Sequence, residues 1–442
     1  MRIGAPKRER RAVLKELTQF ESKPKDTRRF IKSVVSGTLD PYLDYKLRKN
    51  RFGKFRSISS PFPELKELQK RILHDLYSLS CHEAAHAYVP GRSVVTAASE
   101  HLGMNWGIKL DLEDFFHHVT GRHIEKALAK QTGLAKAEVY AALCTRAPER
   151  TRNRIPTKFN RRHGIWVARD WRLWLVGKST AKFGPGLPKM DEQSAARSIT
   201  YKLLSGKRRI RRYLPQGSPT SGYLANLAFA PVDAKIARLT RKLGFTYTRY
   251  SDDILISTSS VVFDRELATK IIHKVQKLVA DEGFTLNRAK TRILTPGSRK
   301  SYLGLIVSGQ TTRLPREVRE RITAELRDIK KFGFDSQALR FEAGLSRIGR
   351  SAAKHSNTEN SYWHVLRGYL CWVQKADSKL FEDLEDIYRP HFAGQPFPLN
   401  SKNDSDGDAL ARLFERKDST GTSDAAQTID AVMKITDIYL DY

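Results

Sequence analysis

The chain has 442 residues, of which 40% are hydrophobic, enough for two or three packed units with substantial cores. Its 79 Lys and Arg against 48 Asp and Glu give a formal charge of +31, which points to a polyanionic partner, nucleic acid first, because each neutralised phosphate releases condensed counterions. No apolar run is long enough to span a bilayer, no apolar signal core follows the basic start, and Cys81, Cys144 and Cys371 lack Cys-x-x-Cys spacing. Membrane partners, secretion, a disulfide framework and a cysteine zinc site are therefore not expected, and a reducing cytoplasm fits.

Val13, Leu14, Leu17 and Phe20 give the charged first fifty or so residues a short amphipathic helix pattern. Residues 48–58 read as a basic hairpin turning at Gly53. Lys54 and Arg56 alternate with apolar residues, so both point to one face, where they can meet phosphate or simply protect an edge strand. After Pro61 and Pro63, the spacing Leu65, Leu68, Ile72, Leu76, Leu79 predicts a helix. His82-Glu83-Ala84-Ala85-His86 matches a zinc-protease pattern, but Val89-Pro90-Gly91 ends any helix within a turn and no third ligand follows, so coincidence is the better reading. Residues 107–116 begin as a strand. Asp111 stands there among apolar neighbours and needs a cation nearby, unless it or Asp114 caps the helix that follows.

Residues 120–212 are strongly basic. Arg146, Arg161, Arg162 and Arg169 interleave with Trp166, Trp171 and Trp174, which suits base stacking combined with phosphate contact. Leu214-Pro215-Gln216-Gly217-Ser218-Pro219-Thr220-Ser221 is a rigid turn into a helix over 223–239. Gly217 permits close backbone approach and Gln216 offers an amide beside a helix start, although a bare capping turn looks the same. Tyr250-Ser251-Asp252-Asp253, between two β-rich runs, reads as a hairpin tip. Adjacent acids raise each other's pKa unless a cation lies between them, so a divalent metal and a plain solvated turn both fit these residues taken alone. A helix over 267–279 closes at Gly283, strands are predicted over 284–287 and 301–307 around Lys290, and helices over 318–329 and 362–387 form a C-terminal unit. Residues 397–425 have linker composition, and 428–442 suit a short docking helix.

Taken in order, Asp111 with Phe115-Phe116, then Leu-Pro-Gln-Gly-x-Pro-Thr-Ser, Tyr-x-Asp-Asp, Gly-Phe-x-Leu-Asn-x-x-Lys-Thr and Tyr302-Leu303-Gly304 resemble the palm of reverse transcriptases. The resemblance runs over about residues 54–307, more loosely to 392, and residues 85–93, with Arg92, look like the family's fingers segment. It implies an α+β right-hand polymerase fold. An N-terminal segment and fingers would occupy 1–106, a ferredoxin-like palm 107–308 with a basic insertion at about 147–212, a helical thumb 309–395, and a flexible linker and tail 396–442.

The chemistry it implies is RNA-directed DNA synthesis, an in-line phosphoryl displacement using two Mg2+ ions for which Mn2+ can substitute. Asp111, Asp252, Asp253 and the carbonyl of Leu112 would be the metal ligands, with Lys290 a candidate general acid. Lys54, Arg56 and Gln216 would hold the deoxynucleoside triphosphate, and Phe116 would be a steric gate under its sugar, or else ordinary core. Arg92, Arg161, Arg162, Trp166, Arg169, Tyr302 and Gly304 are the candidate nucleic-acid contacts.

Within the family the pattern is most like retron and defence-associated enzymes. Ala98 and His101 keep part of their Asn-Ala-x-x-His segment without the Asn, Tyr302-Leu303-Gly304 stands in place of Val-Thr-Gly, and Gly222 replaces a frequent Pro. Retron membership and priming from an RNA 2′-OH stay open on those departures. The expected partners are a dedicated non-coding RNA template gripped by the basic insertion, the nascent DNA, and an effector protein or second copy, in bacterial anti-phage defence. A maturase-type protein encoded by an intron and a non-catalytic RNA-binding scaffold are the alternatives, and Tyr439 and Tyr442 offer hydroxyls for protein priming.

Overall fold

The computed structural model describes residues 5–17, 24–36, 39–48, 55–147, 157–160, 165–168, 212–347 and 358–389. Lys54, Arg161, Arg162, Arg169, most of the basic insertion and the C-terminal tail lie outside the described residues. Helices α1 (Lys7–Leu17) and α2 (Pro24–Ser36) precede a hairpin of β1 (Tyr42–Arg48) and β2 (Phe55–Pro61). Next come α3 (Pro63–Leu76), α4 (Val94–Ser99), β3 (Trp106–Asp111), α5 (Phe115–His118), α6 (Gly121–Thr132) and α7 (Leu134–Cys144). A small hairpin of β4 (Thr157–Asn160) and β5 (Ile165–Ala168), which contains Trp166, leads to α8 (Ser221–Lys242), β6 (Thr246–Tyr250), β7 (Asp253–Thr258) and α9 (Arg265–Ala280). The chain continues through β8 (Arg292–Leu294), β9 (Ser301–Tyr302) and β10 (Leu305–Ile306). Helices α10 (Arg316–Phe332), α11 (Phe334–Arg347), α12 (Thr358–Ala376) and α13 (Ser378–Tyr388) follow. The architecture is α+β, as expected, and no helix among the described residues is long and apolar enough to cross a membrane.

These elements form two compact units. The first draws on residues up to Ala85, Leu112–Ile236 and Val275–Leu286, and the second on His86–Asp111, Ala237–Lys274 and the described residues from Asn287 onward. In the first unit, α3 starts with Pro63 in its first turn and buries Leu65, Leu68, Ile72 and Leu76, the stripe its spacing predicts. Gln69 is buried on the same helix, where its amide donates to the Tyr42 hydroxyl and the Leu143 carbonyl, each at 3.0 Å, and accepts from Ser218 Oγ at 2.7 Å.

Arg146, grouped above with the phosphate-contacting cations, is instead 1% exposed. Its guanidinium donates to both carboxylate oxygens of Asp40, at 2.9 and 2.6 Å, to Asp44, and to Ser59 Oγ at 2.8 Å. It therefore ties β1 and β2 to the end of α7. Sequence cannot separate such a cation from its solvated neighbours, because the acids that enclose it lie a hundred residues earlier in the chain.

The second unit is built on a four-stranded antiparallel sheet of order β6-β7-β3-β8. Ile254, Leu255 and Ile256 of β7 are all buried, as a strand covered on both faces requires. Beside it, Ile322, Leu326 and Ile329 of α10 join Leu366, Leu370 and Val373 of α12 and Leu380 of α13 in one core.

Three predicted elements are corrected. Residues 284–287 contribute only an isolated Leu112–Leu286 bridge, and the strand comes later, at β8. The reason is that the Asn287 side chain caps a one-turn 3-10 helix, Arg288–Lys290, which diverts the chain. The single strand expected over 301–307 is a hairpin of β9 and β10, turned by Leu303 at φ 51° and Gly304 at φ 80°. The helix expected over 362–387 breaks at Asp377, whose carboxylate accepts from Leu380 N at 3.2 Å and starts α13.

Arg146→Met is expected to destabilise the protein by about 3–5 kcal/mol, the cost of leaving a buried carboxylate without its cation. Chemical denaturation checks this, and a loss below ~1 kcal/mol would contradict the structural role.

Candidate active site

All four residues proposed for catalysis lie in the second unit. Asp111 closes β3 and pairs in register with Asp253 at the start of β7. Tyr250 pairs with the same Asp253 from β6, leaving Ser251 and Asp252 as the turn. The turn is tight: Ser251 has φ 59°, a left-handed conformation uncommon for a residue with a side chain. Arg249, fully buried, donates from Nη1 to the Ser251 carbonyl at 3.0 Å, and its own carbonyl accepts from His86 N at 2.8 Å. A buried guanidinium under the turn thus fixes the backbone that presents Asp252. The only signal for Arg249 in the sequence is a cation within a strand-like run that also holds Tyr247 and Tyr250.

Lys290 arrives by a separate route. Asn287 N donates to the Asp111 carbonyl at 2.8 Å, extending the chain alongside β3, and Asn287 Oδ1 accepts from Lys290 N at 3.3 Å. The Asn-x-x-Lys spacing is therefore one cap plus one 3-10 turn, and it brings Lys290 Nζ to 2.7 Å from Asp111 Oδ2. Asp111 is buried while Lys290 is half exposed.

The electrostatics follow from that crowding. Burial, and then the charges of Asp252 and Asp111, push the Asp253 carboxyl up to about 6, against the opposing pull of Lys109 and Lys290. For Lys290, burial pulls the pKa down, but the Asp111 hydrogen bond and the three carboxylates outweigh it, and the net shift is upward. Such a site lacks positive charge. Its side-chain donors are all carboxylate oxygens, the chemistry of a hard divalent cation that keeps some ligands free for phosphate, and the Lys290 ammonium stands in for part of that charge. Among the described residues no group of three or more His, Cys, Asp or Glu side chains is gathered closely enough to hold an ion as it stands. The residues fit a hard divalent cation by donor type and by charge deficit, with Lys290 competing for Asp111.

His101 supports the sheet from within. Its ring lies 2.6 Å from Ser257 Oγ on β7 and 2.7 Å from Thr248 Oγ1 on β6. Burial, with a smaller contribution from His86, pulls its pKa down to about 3, so the ring is neutral and bridges both strands. The Ala-x-x-His fragment noted in the sequence is thus a clamp on the hairpin. Tyr302 packs edge-on to His101 at 5.5 Å and is 1% exposed. Its ring has no face for nucleic acid, which corrects the expectation of a side-chain contact there; Gly304, in the adjacent turn, is half-buried. Arg92 is half-buried as well. Neither His82 nor His86 lies on a helix, which removes the zinc-protease pattern.

Of the residues expected to hold a nucleotide, Arg56, Phe116 and Gln216 belong to the first unit. Arg56 is exposed on β2, opposite Leu47. Two residues past Ile58's neighbour Ser57, the same strand is pinned to the Leu-Pro-Gln-Gly turn, since Ser59 N donates to the Gln216 carbonyl at 2.6 Å. Gly217 has φ 107°, and a Cβ there would meet Ile58 Cγ2 at 2.8 Å and the Ser59 carbonyl at 3.0 Å, so only glycine allows this approach. The strand that carries Arg56 and the turn that carries Gln216 are in this way one assembly. Leu112 is buried, and Phe116 is half-buried against Phe115, which packs on Phe229 and Phe284. Asp114 precedes α5 without a side-chain capping bond, against the capping role considered above.

A family model described as reverse transcriptase (RNA-dependent DNA polymerase) matches residues 180–307, a stretch that includes Gln216, Asp252, Asp253 and Lys290. The chain is 30% identical over 353 residues to the retron Mx162 reverse transcriptase of Myxococcus xanthus, covering 74% of this chain and 63% of that protein. It is 32% identical over 287 residues to the retron Mx65 reverse transcriptase of the same organism, covering 64% and 55%. The chain thus spans somewhat more than half the length of these curated relatives. A solved telomerase structure from Candida albicans overlays with a TM-score of 0.36 at 11% identity, covering 82% of this chain and 64% of that one, a likeness too weak to bear on function.

Because Asp253 is held ionised at a cost, Asp253→Asn is expected to raise the thermal midpoint of the metal-free protein by on the order of 2 °C or more. A midpoint unchanged or lowered in scanning calorimetry would contradict the charge crowding.

Proposed function

We propose that this chain, which carries a reverse transcriptase domain related to those of bacterial retrons, is an RNA-directed DNA polymerase that extends DNA on a dedicated non-coding RNA in anti-phage defence. The observation that carries this reading is the cross-strand pairing of Asp111 with Asp253, with Asp252 in the adjoining turn and Lys290 beside Asp111. Adding a nucleotide to a strand end is a phosphoryl displacement in which the attacking and leaving oxygens must be held in line while negative charge develops. Magnesium, when bound, supplies the positive charge that offsets it. Asp111, Asp252 and Asp253, with the Leu112 carbonyl, are the oxygen donors assigned to hold it.

Lys290 carries its proton at neutral pH, since its pKa is shifted upward, and is assigned as the donor of that proton from Nζ to the leaving pyrophosphate oxygen. Nucleotide handling is assigned to Lys54 and Arg56 for the triphosphate, Gln216 for positioning, and Phe116 for excluding a 2′-OH. The backbone at Gly304 and the side chains of Arg92, Arg161, Arg162, Trp166 and Arg169 are assigned to nucleic acid, in keeping with a net charge of +31. In this reading residues 1–106 work as fingers, 107–308 as palm and 309–395 as thumb. A non-catalytic scaffold has no use for an Asp253 carboxylate crowded by Asp252 and Asp111, which favours the polymerase over that alternative.

Sequencing the nucleic acids that co-purify with the wild type and with Asp252→Asn tests the proposal. The DNA product is expected to disappear in the variant while the RNA persists, and product of equal abundance in both would refute it. Asp253→Asn is expected to reduce synthesis less than Asp252→Asn. Phe116→Ala is expected to admit ribonucleotides in primer extension, and unchanged sugar discrimination would return Phe116 to the core.

A further inference from the structure

Away from the carboxylates, the second unit buries one further cation. Lys300, just before β9, is 4% exposed and pairs with no carboxylate among the described residues. Its partners are backbone carbonyls of the loop that joins β8 to β9. Nζ donates to the Thr295 and Pro296 oxygens, both at 2.6 Å, and to the Ser298 oxygen at 3.0 Å. An ammonium has three protons and no acceptor, so this set satisfies it completely. The Thr295 carbonyl also accepts from Ser298 N at 2.9 Å and from Ser298 Oγ at 2.7 Å, which closes a tight turn. The loop therefore folds around its own last side chain. Carbonyls gathered on one cation are the surroundings of a dehydrated potassium ion, here with the cation attached to the chain.

Burying an ammonium is costly unless every proton finds a partner, and a methionine would fill similar space without that cost. What the cation holds accounts for its presence better than packing does. The Lys300 carbonyl accepts from Val307 N at 3.0 Å, one step below the Ser301–Ile306 and Tyr302–Leu305 pairs of the β9–β10 hairpin. Val307 in turn is buried, and its carbonyl accepts from Gly103 N at 3.2 Å. A hairpin this short is not stable alone. It must also keep Leu303 at φ 51° and Gly304 at φ 80°, and the first of these is strained for a residue with a side chain. Tyr302 anchors the hairpin in the core, and Lys300 anchors its root: the side chain fixes the loop that enters it, and the main chain closes the ladder.

We propose that Lys300 is a positioning residue: an internal cation among the 295–298 carbonyls that holds the Leu303–Gly304 turn where its backbone meets the primer–template duplex. This role rests on the assignment of the Gly304 backbone to nucleic acid made above. Hydrogen exchange on the full wild-type chain tests the anchoring without any variant. The Ser298 and Val307 amides are expected to exchange roughly a hundredfold more slowly than in an open chain, and open-chain rates would overturn the proposal. In Lys300→Met, protection over residues 298–307 is expected to fall about tenfold while that over β6 and β7 stays. Unchanged protection of the hairpin would overturn it.

Primer extension, run below the unfolding midpoint of Lys300→Met, is expected to show KM for the primer–template duplex raised about fivefold, with kcat and KM for the deoxynucleotide within about twofold. A loss confined to kcat, or equal rises in both KM values, would make Lys300 a general stabiliser and overturn the positioning role. Gly304→Ala strains the same turn directly and is expected to give the same split. The double variant is expected to fall short of the two effects combined, and full additivity would overturn the shared route. Fluorescence anisotropy with the duplex and no nucleotide reads the contact without chemistry. Duplex binding weakened about fivefold in Lys300→Met, in a chain that extends no primer, would uphold Lys300 and refute only the polymerase; unchanged duplex binding would overturn the proposal.

Discussion

Two carboxylates on different strands face each other only while the strands keep their register, and the register of β3 against β7 is the constraint on which the second unit depends. It sets Asp111 opposite Asp253 and, two and three residues earlier on β3, Lys109 opposite Leu255 and Ile108 opposite Ile256. A slip of one residue would send every side chain of the strand to the other face of the sheet. What prevents the slip is burial: Ile108 and Leu110 of β3 and Ile254, Leu255 and Ile256 of β7 are each at most 1% exposed. The hydrophobic pattern that stabilises the sheet thus also places the acids.

That placement costs stability, and the surroundings offset it locally. Lys290 partly neutralises Asp111, Arg249 holds the Ser251 carbonyl, and neutral His101 joins β6 to β7 from inside the core. The first unit uses the same device for a different purpose. There Arg146, enclosed by Asp40 and Asp44, fixes the hairpin that carries Arg56, and Gly217 lets the Gln216 turn lie directly against β2. In both units a buried cation or a close backbone contact holds a candidate functional group in place, so the residues assigned to chemistry are not the ones that maintain the fold.

Much of this was legible in the sequence because the candidate functional residues fall in short local patterns. The Tyr-x-Asp-Asp tip, the Leu-Pro-Gln-Gly turn and the Asn-x-x-Lys cap each specify their own geometry within a few residues, and the stripe of α3 follows directly from its spacing. The misreadings concern partners that are distant in the chain. Arg146 reads as one more cation in a basic run, since the aspartates around it are 102 and 106 residues away. Tyr302 reads as a motif residue, although its surroundings are His101 and Thr248 from two other elements. The break at Asp377 is hidden by continuous helical periodicity, because the capping bond that ends the pattern is a tertiary feature as well as a local one.

The central claim is that Asp111 and Asp253 are held together for a divalent cation, with the Lys290 ammonium as its competitor. Calorimetric titration of Mn2+ into the nucleic-acid-free wild type, Asp111→Asn and Lys290→Ala measures this directly. The account predicts saturable binding in the wild type, weaker or no binding in Asp111→Asn, and tighter binding in Lys290→Ala. Equal affinity in all three, or weaker binding once Lys290 is removed, would contradict it.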